Sequence, residues 1–164
     1  MILFLHGFGG SFQLYQYYLA RQFSDHIIIC PAYGISMAEV PQLYLEECLA
    51  EAQGKIGHRL RRPILMGLSA GGFGGFREYA RNSSAYSGFI CLAAYPPEDM
   101  LPIEDKNAKM RILAGAQEYW VKDRTLEKSE WKLLKGNYHH ATIPGADHFF
   151  LLTHERESRR FLRL

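Results

Sequence analysis

The stretch Pro63-Ile64-Leu65-Met66-Gly67-Leu68-Ser69-Ala70-Gly71 constrains the fold of this chain more than any other. Its apolar run reads as a buried strand. The strand ends in a Gly-x-Ser-x-Gly turn, and Gly72-Phe73-Gly74-Gly75-Phe76 then opens a helix. So sharp a turn between strand and helix holds the serine on a strained backbone and points its hydroxyl out of the sheet. Side chains on either flank would collide there, so Gly67 and Gly71 are what the turn requires. This is the pattern of a nucleophile elbow, with Ser69 as the candidate nucleophile.

The rest of the chain repeats one theme. Ile2–Leu5, His26–Cys30, Pro63–Met66, Gly88–Ala93, Met110–Gly115 and His139–Ile143 are short apolar runs that predict strands. Helical patterns alternate with them. Phe12, Tyr15, Leu19 and Phe23 mark the first helix, and Leu45, Cys48, Leu49 and Ala52 mark a second that starts near Pro41 and closes at Gly54. A third follows Ser69. A fourth is expected over Arg124–Lys135, capped by Asp123 and stopped by Gly136, and a last one runs from Phe149 to the C-terminus. Tyr95–Lys109, with three prolines, reads as a loop. Such alternation predicts one α/β domain over residues 1–164 around a mostly parallel sheet. Ligands of such sheets bind beyond the carboxyl ends of the strands. The His6-Gly7 turn, Ser69, the Gly115–Trp120 stretch and Asp147-His148 all follow strands, so they are expected on one rim.

Composition removes several classes of function. A chain of 164 residues with 48% apolar and 22% charged residues is that of an ordinary globular domain, not a disordered one. Its net charge of +2 argues for neither a nucleic-acid nor an anionic-membrane partner. Cys30, Cys48 and Cys91 lack metal or redox spacing and are expected as buried free thiols of a reducing compartment. No run is long enough for a signal or transmembrane segment, so the protein is expected to be soluble and cytoplasmic. His139 and His140 adjoin on a strand and face opposite sides, which does not suit a shared metal.

The ordered set resembles the α/β-hydrolases over nearly the whole chain. It consists of His6-Gly7-Phe8-Gly9-Gly10 after the first strand, Gly67-Leu68-Ser69-Ala70-Gly71-Gly72, an acid after the fifth strand, and His148 in Gly145-Ala146-Asp147-His148-Phe149-Phe150. The resemblance implies a three-layer, doubly wound core of six strands in order 2-1-3-4-5-6. The two antiparallel strands with which that fold usually begins are not expected. Tyr95–Lys109 is too short for a helical lid, so a small, open site is expected, similar to that of the lidless bacterial esterases and thioesterases.

The resemblance also implies roles. Ser69 would attack a carbonyl, and His148 would be its general base. Glu118, three positions past Gly115, would be the acid that orients His148. Asp123 is the competitor, better explained as a helix cap, while Asp147 adjoins the histidine too closely to orient it. The backbone N–H groups of Phe8 and Ala70 would form the oxyanion hole, and His6 would hold the first loop. The Phe8 ring either walls the acyl pocket or covers the core. Phe12, Phe73, Tyr95, Trp120 and Phe149 line an apolar pocket or pack inside. The implied activity is cleavage of a small carboxylic ester or thioester through an acyl-enzyme, chemistry that requires no cofactor or metal. The alternatives are C–C bond hydrolysis, peroxy-acid formation or amide cleavage on the same apparatus, or a non-enzymatic hydrolase-like binding protein. The last commonly loses the serine, the histidine or the elbow glycines, all of which are present.

Overall fold

Strand β1 (Ile2–Leu5) has all four residues buried, which is why it reads as an unbroken apolar run. The computed structural model describes residues 1–9, 12–34, 42–57, 61–97, 103, 105–122 and 137–162. After β1 come α1 (Phe12–Gln22), β2 (Ile28–Ile29), α2 (Gln42–Ile56), β3 (Ile64–Leu68) and α3 (Ala70–Asn82). The chain continues through β4 (Gly88–Leu92), β5 (Lys109–Gly115), α4 (Tyr119–Lys122), β6 (Asn137–Ile143), α5 (Phe150–Thr153) and α6 (Glu155–Phe161). Among the described residues six strands form one sheet in the order β2-β1-β3-β4-β5-β6, as the family resemblance implied. Every pairing is parallel, with Leu5 opposite Gly67, Leu68 opposite Leu92, Leu92 opposite Leu113 and Gly115 opposite Ile143. This register brings the carboxyl ends of β1, β3, β4, β5 and β6 to one rim.

Alternate residues of each strand feed two cores. Leu3, Leu5, Leu65, Phe89 and Ile112 pack with Leu45 of α2 and with Phe76 and Tyr79 of α3. On the other face Phe4, Met66, Leu92 and Leu113 pack with Leu19 of α1 and with Phe150 of α5. Each large apolar side chain buried this completely stabilises the fold by roughly 1.5–3 kcal/mol. Among the described residues no helix is long and apolar enough to cross a membrane.

Several expected boundaries move, each for a physical reason. The second strand was expected over His26–Cys30, but only Ile28 and Ile29 pair, because β2 is a sheet edge whose single neighbour, β1, is short. Helix α2 runs through the exposed Gly54 and stops before Gly57, whose φ of 72° suits a left-handed terminator. Strand β6 starts at Asn137 rather than His139, since Lys109 at the head of β5 offers it a partner. The last helix is two pieces, broken at His154 (φ −126°, ψ 54°). The helix over Arg124–Lys135, with Asp123 and Gly136, lies outside the described residues. All three cysteines are free, but only Cys91 is fully buried, whereas Cys30 and Cys48 are half-buried.

Candidate active site

Three glycines account for the elbow. A Cβ on Gly67 would lie 2.3 Å from the Gly71 carbonyl oxygen, and one on Gly71 would lie 2.2 Å from the Leu5 oxygen and 2.5 Å from the His6 oxygen. One on Gly72 would lie 2.7 Å from the Ala94 Cβ. The start of α3 is thereby pressed against β1 and β4, and the reversal falls on Ser69, with φ 54° and ψ −118°. A non-glycine residue in that conformation costs about 1–3 kcal/mol and persists only where its surroundings enforce it. Here the Ser69 N–H donates to the Leu92 oxygen at 2.8 Å, and the Phe73 N–H donates to the Ser69 oxygen at 3.1 Å. The Ser69 hydroxyl does not cap the helix it precedes.

The loop after β1 lies directly against this turn, because a Cβ on Gly7 would sit 3.3 Å from the Ser69 Cβ. His6 is 1% exposed, and its ring stacks on Tyr33 with centroids 4.0 Å apart and 3° between planes. The Tyr33 hydroxyl donates to the His6 carbonyl at 2.6 Å. The His6 Nδ1–H donates to the Gly7 carbonyl at 2.8 Å. The Gly7 carbonyl and the Phe8 N–H are opposite ends of one planar trans peptide, so holding the oxygen aims the N–H. The Phe8 ring is 72% exposed and does not cover the core. Ala70, the first residue of α3, carries one of the N–H groups that a helix cannot satisfy internally.

The loops after β5 and β6 meet across a second bare backbone. A Cβ on Gly115 would lie 2.3 Å from the Asp147 oxygen and 2.5 Å from the Ala146 oxygen. The Ala116 N–H donates to the Ile143 oxygen at 3.0 Å, and the Gln117 N–H donates to the Ala146 oxygen at 2.8 Å. This lacing brings Glu118 to His148, with Nδ1 and Oε2 3.0 Å apart. Glu118 is buried; its Oε1 also accepts from the Gly115 N–H at 3.3 Å and its Oε2 from the Trp120 indole N–H at 2.8 Å. A carboxylate only accepts, so a proton lies on His148 Nδ1, and in the neutral ring Nε2 keeps its lone pair. The bond to Glu118 holds the His148 pKa above the ordinary imidazole value against the opposing effect of burial, and the charges of Glu118 and Asp147 add to the rise.

Asp147 is occupied otherwise. Its Oδ1 accepts from the Phe149 N–H at 2.9 Å and so shapes its own loop. Asp123, the other acid considered, lies outside the described residues.

The aromatic residues separate by burial. Phe73 meets Tyr95 edge-on at 5.2 Å, and Tyr95 meets Trp120 at 5.3 Å. Trp120 is 2% exposed, so its ring is part of the interior rather than a pocket wall. Phe149 is 57% exposed and stands perpendicular to the His148 ring at 5.8 Å. The Phe12 side chain lies outside what is described. Hollows among the described residues lie away from this rim. One of about 690 Å³ is bounded by His26, Arg156 and Arg160, and one of about 400 Å³ opens at the amino ends of β4 and β5 beside Gly88 and Lys109. Among the described residues no cluster of three or more His, Cys, Asp or Glu could hold a metal ion. Tyr33 escaped the sequence reading, since it sits in no motif and no periodic pattern. Gly115 entered it only as the strand end from which Glu118 is counted; the close approach of Asp147 and Ala146 to its bare backbone is what the structure adds.

No protein-family model matches the sequence, and no curated protein matches it. Solved structures do match. An uncharacterized protein from Bacillus cereus superposes with a TM-score of 0.68 at 20% identity, covering 98% of this chain and 59% of that one. The present chain therefore spans about three fifths of that relative's length. The Bacillus cereus carboxylesterase gives a TM-score of 0.68 at 14% identity, covering 98% of this chain and 85% of its own. A dienelactone hydrolase from Anabaena variabilis gives 0.66 at 17% identity, covering 98% and 83%. With the sheet order above, these likenesses show that the chain has the α/β-hydrolase fold.

Proposed function

We propose that this protein is a serine hydrolase that cleaves a small carboxylic ester or thioester through an acyl-enzyme intermediate. The observation that carries the reading is the Glu118–His148 hydrogen bond of 3.0 Å on the sheet rim that also bears the strained Ser69 elbow. A serine hydroxyl is a weak nucleophile until a neighbouring base takes its proton. In the proposed reaction His148 Nε2 takes the Ser69 proton as Oγ attacks the substrate carbonyl. The tetrahedral oxyanion is held by the Phe8 and Ala70 N–H groups. Collapse expels the alcohol or thiol, which receives the proton from His148, and water repeats the sequence to free the acid. Glu118 keeps the imidazole in the Nδ1–H tautomer and offsets the charge of the imidazolium. Phe73, Tyr95 and Phe149 supply an open apolar surface for the acyl or leaving group, and the chemistry needs no cofactor.

A panel of p-nitrophenyl esters and acyl thioesters of short and medium chain length tests this reading. Turnover in the parent that disappears in Ser69→Ala is expected. Absence of turnover across the whole panel would turn the same apparatus over to amide, C–C or peroxy-acid chemistry.

A further inference from the structure

Trp120 is a large side chain almost wholly removed from solvent, and its single polar atom donates to Glu118 Oε2. The local chain explains the contact. Glu118 opens a turn in which the Val121 and Lys122 N–H groups donate to its carbonyl at 3.1 and 3.0 Å. Its side chain curls back to the Gly115 N–H, and the indole two residues on closes over the same carboxylate. Oε2 therefore accepts from two donors, the Trp120 indole at 2.8 Å and His148 Nδ1 at 3.0 Å. The far side of the indole is fixed as well. It packs on Tyr95, and Tyr95 packs on Phe73, one helical turn beyond Ser69. An aromatic column thus joins the base of the elbow helix to the acid.

We infer that Trp120 is a positioning residue: its indole N–H fixes the carboxylate oxygen that orients His148, and it governs turnover through Glu118. The inference rests on the Ser69–His148–Glu118 reading above. Glutamate has one more rotatable bond than aspartate, and in a buried pocket a carboxylate left with fewer donors turns to find others. Without the indole, Oε2 leaves the line of His148 Nδ1. A phenylalanine in the same space keeps the column packed and removes only the donor.

The test is a double-mutant cycle on p-nitrophenyl butyrate with the parent, Trp120→Phe, Glu118→Ala and the double variant. Loss of one hydrogen bond to a charged group predicts a fall of about 10- to 100-fold in kcat for Trp120→Phe, with KM little changed. In the Glu118→Ala background the same substitution is expected to change kcat less than about 2-fold, because the group it acts through is gone. An equal fall in both backgrounds would mark Trp120 as packing alone and overturn the inference, as would full activity in Trp120→Phe. Where Trp120→Phe does not fold, the parent decides by nuclear magnetic resonance. The Trp120 indole proton is expected to be protected from exchange and to lose that protection in Glu118→Ala, which removes the acceptor; fast exchange in the parent overturns the bond. A parent that neither turns over esters nor reacts with a fluorophosphonate overturns the triad reading, whereas an active parent with additive variants overturns only the role of Trp120.

Discussion

Gly71→Ala is the smallest change that tests how the elbow is held. The added Cβ would start 2.2 Å from the Leu5 carbonyl oxygen and 2.5 Å from the His6 oxygen. Ordinary carbon–oxygen contacts fall near 3.3 Å, so β1 and the start of α3 must separate by about 1 Å. Neither side yields cheaply. Leu5 pairs with Gly67 in mid-sheet, and His6 is clamped by Tyr33. Overpacking of this kind costs about 1–3 kcal/mol. The same separation pulls the Gly7–Phe8 peptide away from Ser69, and a misplacement of about 1 Å costs on the order of 100-fold in rate. The contrast is Gly54→Ala, where a Cβ meets nothing within 4 Å and the backbone is helical. There alanine is expected to stabilise by up to about 1 kcal/mol and leave the rate unchanged. Urea unfolding gives the stabilities, and the second-order rate of fluorophosphonate labelling gives the reactivity. A Gly71→Ala protein as stable and as reactive as the parent would refute the steric account of the turn.

Four further outcomes follow from the geometry. In the proposed mechanism the neutral imidazole of His148 is the base, so kcat/KM is expected to rise through a pKa above the ordinary value of 6.5. In Glu118→Gln the main cause of that elevation is removed, and the acidic limb moves to lower pH while the plateau falls; an unmoved limb would contradict the pairing. The same elevation stabilises the fold while His148 is protonated, so that contribution is full below 6.5 and lost as pH rises through the folded-state pKa, as urea midpoints across pH would record. Tyr33→Phe keeps the ring stack on His6 but removes the hydroxyl bond to its carbonyl, and a loss of about 3- to 10-fold in kcat without change in KM is expected. At the amino end of β4, the buried Tyr86 hydroxyl donates to Glu78 Oε1 at 2.8 Å, and Tyr86→Phe is expected to cost about 1–3 kcal/mol in urea unfolding with no effect on labelling.

The fold was legible because parallel strands buried on both faces, such as Ile2–Leu5 and Ile64–Leu68, must be apolar throughout and must alternate with amphipathic helices. The elbow was legible because only glycine fits where helix and strand touch, and the touching atoms at Gly67 and Gly71 bear this out. Ends of elements were less legible. Pairing at Ile28 or Asn137 depends on the neighbouring strand, and an exposed glycine such as Gly54 does not stop a helix whose next turn can still form. At the site, the meeting of Glu118 with His148 was implied by the family resemblance. The parts that hold them could not be read in that way. Tyr33 reaches His6 across 27 residues, and whether Trp120 faces solvent or the Glu118 carboxylate depends on a turn of α4 that no spacing encodes.

The central claim is that Ser69 is the nucleophile and His148 its base. Mass spectrometry of the fluorophosphonate-treated protein tests it most directly. The account predicts one phosphonyl adduct on the peptide bearing Ser69, no adduct in Ser69→Ala, and labelling slowed by roughly 1000-fold in His148→Ala. An adduct on another residue, or undiminished labelling of Ser69→Ala, would contradict it.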